Sequence, residues 1–191
     1  MKKIIFSVIA LAAVSFANAQ DEAGFAKGDL FVTGSLGYST EKTGDLKNDE
    51  LFVAPALGYF VSENIAVGAR VGYGTSTITD ETTGADIDTN ILTFSGFGRY
   101  YTTPAANFSF FVEAAAGYNS IEIADLKSNG FNIGIAPGIN YFVAKNFSIE
   151  ATVGVLGYST IKPDADGAES TDTFQLGLDS TNLTFGLNYR F

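Results

Sequence analysis

The sequence predicts an all-β fold, an eight-stranded antiparallel up-and-down transmembrane β-barrel, and three observations predict it. Eight segments alternate apolar residues with small or polar ones, every charge inside them falls in the non-apolar register, and the connections alternate short with long. Beyond residue 19 there is no run of about eighteen apolar residues, so this chain can cross a membrane only with strands. Strands can do so because a closed ring pairs every backbone N–H and C=O, and each needs only about 9 to 11 residues.

The chain opens on a leader. Lys2 and Lys3 give a basic start, 4–16 is apolar apart from Ser7 and Ser15, and Ala17-Asn18-Ala19 supplies a small-x-small pattern before Gln20. Residues 1–19 therefore read as a signal peptide cleaved between Ala19 and Gln20, and 20–191 as one barrel domain. Without Lys2 and Lys3, nine basic residues stand against twenty-one acidic ones, a net charge of −12. Such a surface disfavours nucleic acid as a partner. With no Cys and no His, disulfides, thiol chemistry and imidazole-activated nucleophiles are excluded, and no cofactor is expected.

The elements follow in order. The first two strands are read at 29–40 and 50–61, joined by 41–49. Ser62-Glu63-Asn64 then turns the chain into the third, 65–77, where Ile65, Val67, Ala69, Val71 and Tyr73 alternate with Ala66, Gly68, Arg70, Gly72 and Gly74. A long connection, 78–89, precedes the fourth strand at 90–101, and 102–107 leads to the fifth at 108–119. After 120–128 comes the sixth, 129–143, with Phe131, Ile133, Ile135, Pro137, Ile139 and Tyr141 against Asn132, Gly134, Ala136, Gly138 and Asn140. Ala144-Lys145-Asn146 is the next turn, 147–158 the seventh strand and 159–179 the longest connection. The eighth strand, 180–191, sets Leu183, Phe185, Leu187, Tyr189 and Phe191 against Asn182, Thr184, Gly186, Asn188 and Arg190.

A soluble barrel would share this alternation, so the charges decide. Arg70, Arg99, Glu113, Glu150 and Arg190 all lie opposite the apolar register. Arg or Lys on the lipid face near mid-bilayer costs roughly 2 to 4 kcal/mol, whereas a soluble barrel would carry many Lys and Glu outside. The five charges are expected to form a paired network in a narrow lumen, with Arg70 level with Glu113 and Glu150 diagonal to Arg190. Tyr59-Phe60, Tyr100-Tyr101, Tyr141-Phe142 and 189–191 form one aromatic band at the short turns; Tyr38, Tyr73 and Tyr118 form the other. Ala54-Pro55-Ala56-Leu57-Gly58-Tyr59-Phe60-Val61 and Ala136-Pro137-Gly138-Ile139-Asn140-Tyr141-Phe142-Val143 echo each other, each followed by a turn Asn, Asn64 or Asn146.

On these residues the chain resembles the small eight-stranded outer-membrane barrels of Gram-negative bacteria, similar to OmpX and the transmembrane domain of OmpA. The ending Phe185-Gly186-Leu187-Asn188-Tyr189-Arg190-Phe191 resembles the terminal signal read by the barrel-assembly machinery. Gly186, Tyr189 and Phe191 match it, and Phe185 stands where that signal has a polar residue. The resemblance implies a cell outer membrane location, lipid and the assembly machinery as partners, and outward-facing long connections that hold most of the acids.

Function is less directly written. Acid pairs such as Asp86 with Asp88 and Asp164 with Asp166 sit in hydrophilic connections, where solvation explains them, so no enzyme is expected. No Ca²⁺-loop spacing occurs, and no metal ligand is assigned. Eight strands enclose a lumen just wide enough for side chains to fill it. The reading is a structural or surface-interaction barrel with a lumen plugged by the Arg/Glu network and a possible extracellular ligand at the acidic loops; the alternative is a small porin-like channel.

Overall fold

The computed structural model describes residues 23–191 apart from 125, 155, 166 and 178–182. The leader and the cleavage-site residues Ala17, Ala19 and Gln20 lie outside the described residues. Strand segments follow one another as β1 Leu30–Thr43, β2 Leu46–Phe60, β3 Ile65–Asp80, β4 Ala85–Tyr101, β5 Phe108–Ile123, β6 Leu126–Ala144, β7 Phe147–Val153, β8 Leu156–Pro163, β9 Thr171–Leu176 and β10 Leu183–Arg190. Neighbours pair antiparallel from β1 round to β6. Both β7 and β8 pair with β6, β9 pairs with β8, and β10 pairs with β7 and with β1 to close the ring. The segments thus make eight staves, β7 with β8 forming one and β9 with β10 another.

The period of two sorts the side chains. Along β3, Ile65, Val67, Val71 and Tyr73 point outward and are exposed, whereas Ala66, Gly72 and Gly74 are buried in the lumen. On β6 likewise, Phe131, Ile133, Ile135, Ile139 and Tyr141 are exposed and Asn140 is buried. The outer surface is therefore an apolar band with no helix among the described residues long and apolar enough to cross a membrane. That is the surface a strand-built membrane protein presents to acyl chains.

Three of the expected long connections turn out to be largely strand. β1 continues to Thr43 and β2 starts at Leu46, β3 and β4 meet across 81–84, and only 124–125 separate β5 from β6. Their β-branched residues, Ile78, Thr79, Ile87 and Thr89 among them, favour extended backbone. Above the lipid both faces meet water, so polar residues no longer mark the end of a strand.

The last long connection also differs from its expectation. Within 159–179 the chain completes β8 and adds β9, and the seventh strand breaks near Gly154. β9 was illegible because Asp172 shares its register with Phe174 and Leu176, which spoils the apolar face. Leu176 pairs with Leu156 and Leu183 with Val153.

Packed side chains gather at the short-turn end, around Phe25, Phe31, Phe60, Ala66, Phe97, Tyr101, Phe111 and Phe142. Glycines on the inner face make room for these rings. A Cβ at Gly58 would run into the ring of Phe31, and one at Gly138 into that of Phe111.

Candidate functional site: the floor of the lumen

Four of the five strand charges meet inside the barrel. Arg70 on β3 donates from Nη2 to both oxygens of Glu113 on β5, at 3.0 and 2.9 Å. Arg99 on β4 lies between the two carboxylates: Nε donates to Glu113 at 2.7 Å, Nη1 to Glu150 at 2.8 Å and Nη2 to Glu150 at 3.1 Å. Glu150 on β7 also accepts from Thr33 Oγ1 at 3.1 Å and Asn188 Nδ2 at 2.9 Å. Each carboxylate thus receives several donors, which buried charges require if they are to offset desolvation. Arg99 is sealed by rings as well, its guanidinium 4.6 Å from the centre of Phe111 and 5.1 Å from that of Phe97.

The strand stagger that sets Arg99 opposite Glu113 in the β4·β5 register also carries it across the lumen to Glu150. Arg190 does not join them, contrary to the expected diagonal with Glu150. It sits lower, where Nη1 donates to the carbonyl of Gly24, Nη2 to that of Lys145 at 3.1 Å, and Asp29 lies 3.8 Å away. Its place beside Glu150 is taken by Gly186, whose missing side chain matters: a Cβ there would meet Glu150 Cγ at 3.0 Å.

Arg190 thereby fixes a plug that strand periodicity could not reveal. Residues 23–29 fold into the short-turn mouth, with Phe25 N donating to Pro104 O at 2.6 Å and Gly28 N to Phe60 O at 2.9 Å. The Phe25 ring stacks on Phe60 at 4.7 Å and meets Phe142 edge-on at 4.9 Å. The aromatic band at this end is accordingly half internal. Tyr59, Tyr100, Tyr141 and Tyr189 face outward, but Phe60, Tyr101 and Phe142 fill the mouth, because adjacent strand residues point to opposite faces. Only the bare dipeptides hinted at this, each pairing an outward ring with an inward one.

The other sequence-derived residues are placed as follows. Tyr189 lies outward against Phe191, ring centres 5.0 Å apart, and Phe191 N donates to Leu30 O at 2.9 Å. Asn64 and Asn146 play equivalent parts, donating from Nδ2 to Tyr101 O and Arg190 O at 2.8 and 2.7 Å. Asp86 and Asp88 each accept a hydroxyl from β3, Thr79 at 2.7 Å and Thr77 at 2.8 Å. Asp164 heads the turn after β8, and Asp166 is outside the described residues. Above the charged floor the lumen widens into a cavity of about 770 Å³, walled by Thr33, Ser35, Asn132, Thr152 and Gln175 with Arg70 at its base.

Solved structures share this architecture. The outer membrane protein OprG from Pseudomonas aeruginosa superposes with a TM-score of 0.55 at 15% identity, over 90% of this chain and 99% of that one. Neisserial surface protein A gives 0.52 at 12% identity, over 86% and 100%. A major outer membrane protein from Thermus thermophilus gives 0.50 at 15% identity, over 86% and 99%. At such identities the likeness is one of fold alone. No curated protein matches the chain in sequence. The family model described as outer membrane protein beta-barrel domain, however, matches residues 6–191, so the chain belongs to that outer-membrane β-barrel family.

Proposed function

We propose that this is a non-catalytic surface barrel, closed through its lumen and acting through its acidic outer hairpins, exported by a leader cleaved between Ala19 and Gln20. The observation that carries the reading is the double filling of the lumen. Arg70, Arg99, Glu113 and Glu150 interlock across it, and Phe25 with its ring partners fills the mouth beneath. At the level of the floor and of the mouth, a ring of eight staves is just wide enough for such side chains to fill. Outside the membrane, the family orientation puts short turns in the periplasm and the hairpins carrying Glu81, Asp86, Asp88 and Asp164 toward the exterior. Loops and hairpins on a rigid scaffold are where recognition is normally housed. Biogenesis through the barrel-assembly machinery would use Gly186, Tyr189 and Phe191.

A small channel is the second reading, favoured by the 770 Å³ cavity above the floor. Planar-bilayer recording separates the two. The purified protein is expected to insert without discrete current steps, and stable single-channel conductance would establish the channel instead. Asp86→Lys with Asp88→Lys should leave insertion intact and change the binding of whole cells to charged surfaces. Unaltered binding counts against the hairpins as the working surface.

A further inference from the structure

The alternation that turns apolar residues toward lipid reverses beyond it. On β3 to β6 the inward register is marked by Ala66, Arg99, Glu113 and Asn140, all buried, and the pairings that join these strands run to the outer hairpins without a bulge. Past Tyr73 and Tyr118 that same inward register carries Ile78, Ile87, Ile91, Ile121, Ile123 and Leu126. They meet as direct cross-strand partners, Ile78↔Ile87, Ile91↔Ile121 and Ile123↔Leu126. The outward register at this height is polar, with Asp86 and Asp88 bonded by Thr79 and Thr77, and Glu122 beside Lys127. Above the aromatic band these strands therefore form a sheet whose apolar face looks toward the axis. That face is not packed over: Ile87 is 49% exposed and Leu126 76%. A contiguous bare apolar face marks a binding surface.

The facing wall has the opposite character. In a ring of eight staves β1 and β2 lie across from β5 and β6, and their inward register, marked by buried Phe31, Thr33, Ala54 and Ala56, ends in Ser39, Glu41, Asn48 and Glu50. Glu50 accepts from Ser39 Oγ at 3.1 Å and from Asn48 Nδ2 at 2.9 Å, and Ser76 Oγ donates to Asn48 at 2.8 Å. No ion pair among the described residues includes Glu41 or Glu50. The lysines of the outer strands point away: Lys42, Lys47, Lys127 and Lys162 all take the outward register. There Lys42 meets Glu81 and Lys47 meets Asp49, both at 2.6 Å. Within the strands at this end the inward charges are Glu41, Glu50 and Asp80, and the Asp80 carboxylate is taken up by the amides of its own turn.

We propose that the outer end of the lumen binds a slender organic cation from the water outside, an ammonium group carried on an apolar body. The body lies on Ile87, Ile121, Ile123 and Leu126, and the ammonium meets Glu41 and Glu50 on the facing wall. Charge complementarity sets the sign of the ligand, since an anion would meet two carboxylates and no inward cation at that height. The ring sets its girth: eight staves leave a bore about as wide as side chains can fill, too narrow for a helix of roughly 10 Å diameter. Arg70 at the base of the cavity repels a cation, so the ligand stops above the floor. The inference rests on the closed-barrel reading and gives the outer end of that barrel a ligand class.

The test is calorimetric titration of the mature protein in phosphatidylcholine nanodiscs with phenylbutylammonium, empty nanodiscs giving the blank. Saturable heat is expected for this amine and none for phenylbutyrate, an anion of similar shape. Glu41→Gln with Glu50→Gln should weaken binding about tenfold, the size of a charge-assisted contact. Ile87→Ser with Ile123→Ser, on the other wall, should weaken it by a similar factor, whereas Asp86→Lys with Asp88→Lys, on the outward face, should leave it unchanged. Heat-modifiable gel migration reports folding, and the two inner pairs lie on different walls, so either stays decisive should the other misfold. Equal binding of the anion, or full binding by either folded inner variant, overturns the proposal. Loss confined to the outward variant also overturns it, yet leaves the hairpins as the working surface. The closed floor is read separately by conductance, so absent binding without current sinks this inference and spares that reading.

Discussion

Among the described residues Arg99 alone touches both carboxylates, and it is almost wholly enclosed by rings and ion pairs. Arg99→Met keeps the volume but strands Glu113 and Glu150 together with only Arg70, Thr33 and Asn188 to satisfy them. Breaking a buried pair in this way costs about 3–5 kcal/mol. Urea unfolding in lipid vesicles should show that loss, and Arg99→Met with Glu150→Gln should recover part of it. An unchanged midpoint would show that the quartet contributes nothing net. Sequence alternation was enough to turn all five charges inward, because the face a residue takes depends only on odd and even position. Partnership across the lumen was only partly legible, since it depends on how far each stave is staggered in the closed ring. Arg70 and Glu113 met as expected. Arg190 did not meet Glu150, because it lies four residues closer to the turn, where the backbone of Gly24 takes it.

At the scale of the element, the outer hairpins show local chemistry holding a turn. The Asp80 carboxyl sits beyond the apolar band and lies below its ordinary value of 3.8. The Thr83 side chain contributes most to this, followed by the backbone N–H groups of Thr82 and Thr83. Because the folded value is the lower one, the turn gains from the ionised form at every pH above 3.8, and that gain fades as acid takes pH down through the folded value. The Thr82 and Thr83 amide resonances should therefore hold steady from neutral pH to 3.8 and move together only below it. Movement near pH 6 would contradict the assignment. The hairpins also explain why strand ends were misread: lipid imposes alternation only over its own thickness, and β1 to β6 extend beyond it. The plug at 23–29 left no periodic signal for a different reason, since it is an irregular segment whose order comes from Phe25, Arg190 and the mouth they fill.

For the whole molecule, the outward face of β3 should report lipid and the inward face should not. Nitroxides placed one at a time from Ile65 to Gly74 on the cysteine-free background should collide with dissolved oxygen at Ile65, Val67, Ala69, Val71 and Tyr73. The intervening sites should be shielded, and equal accessibility at all ten would refute the barrel's sidedness. The architecture was legible because a closed ring converts a global constraint into a period of two on every stave. The anchoring of both ends of the barrel at the short-turn mouth, through Phe25 and Arg190, bears on how the protein is best handled. An epitope tag appended to Phe191 would emerge beneath the bilayer and stay hidden from antibody on intact cells. A peptide meant for display belongs at Gly84, the apex of a hairpin that already stands clear of the surface.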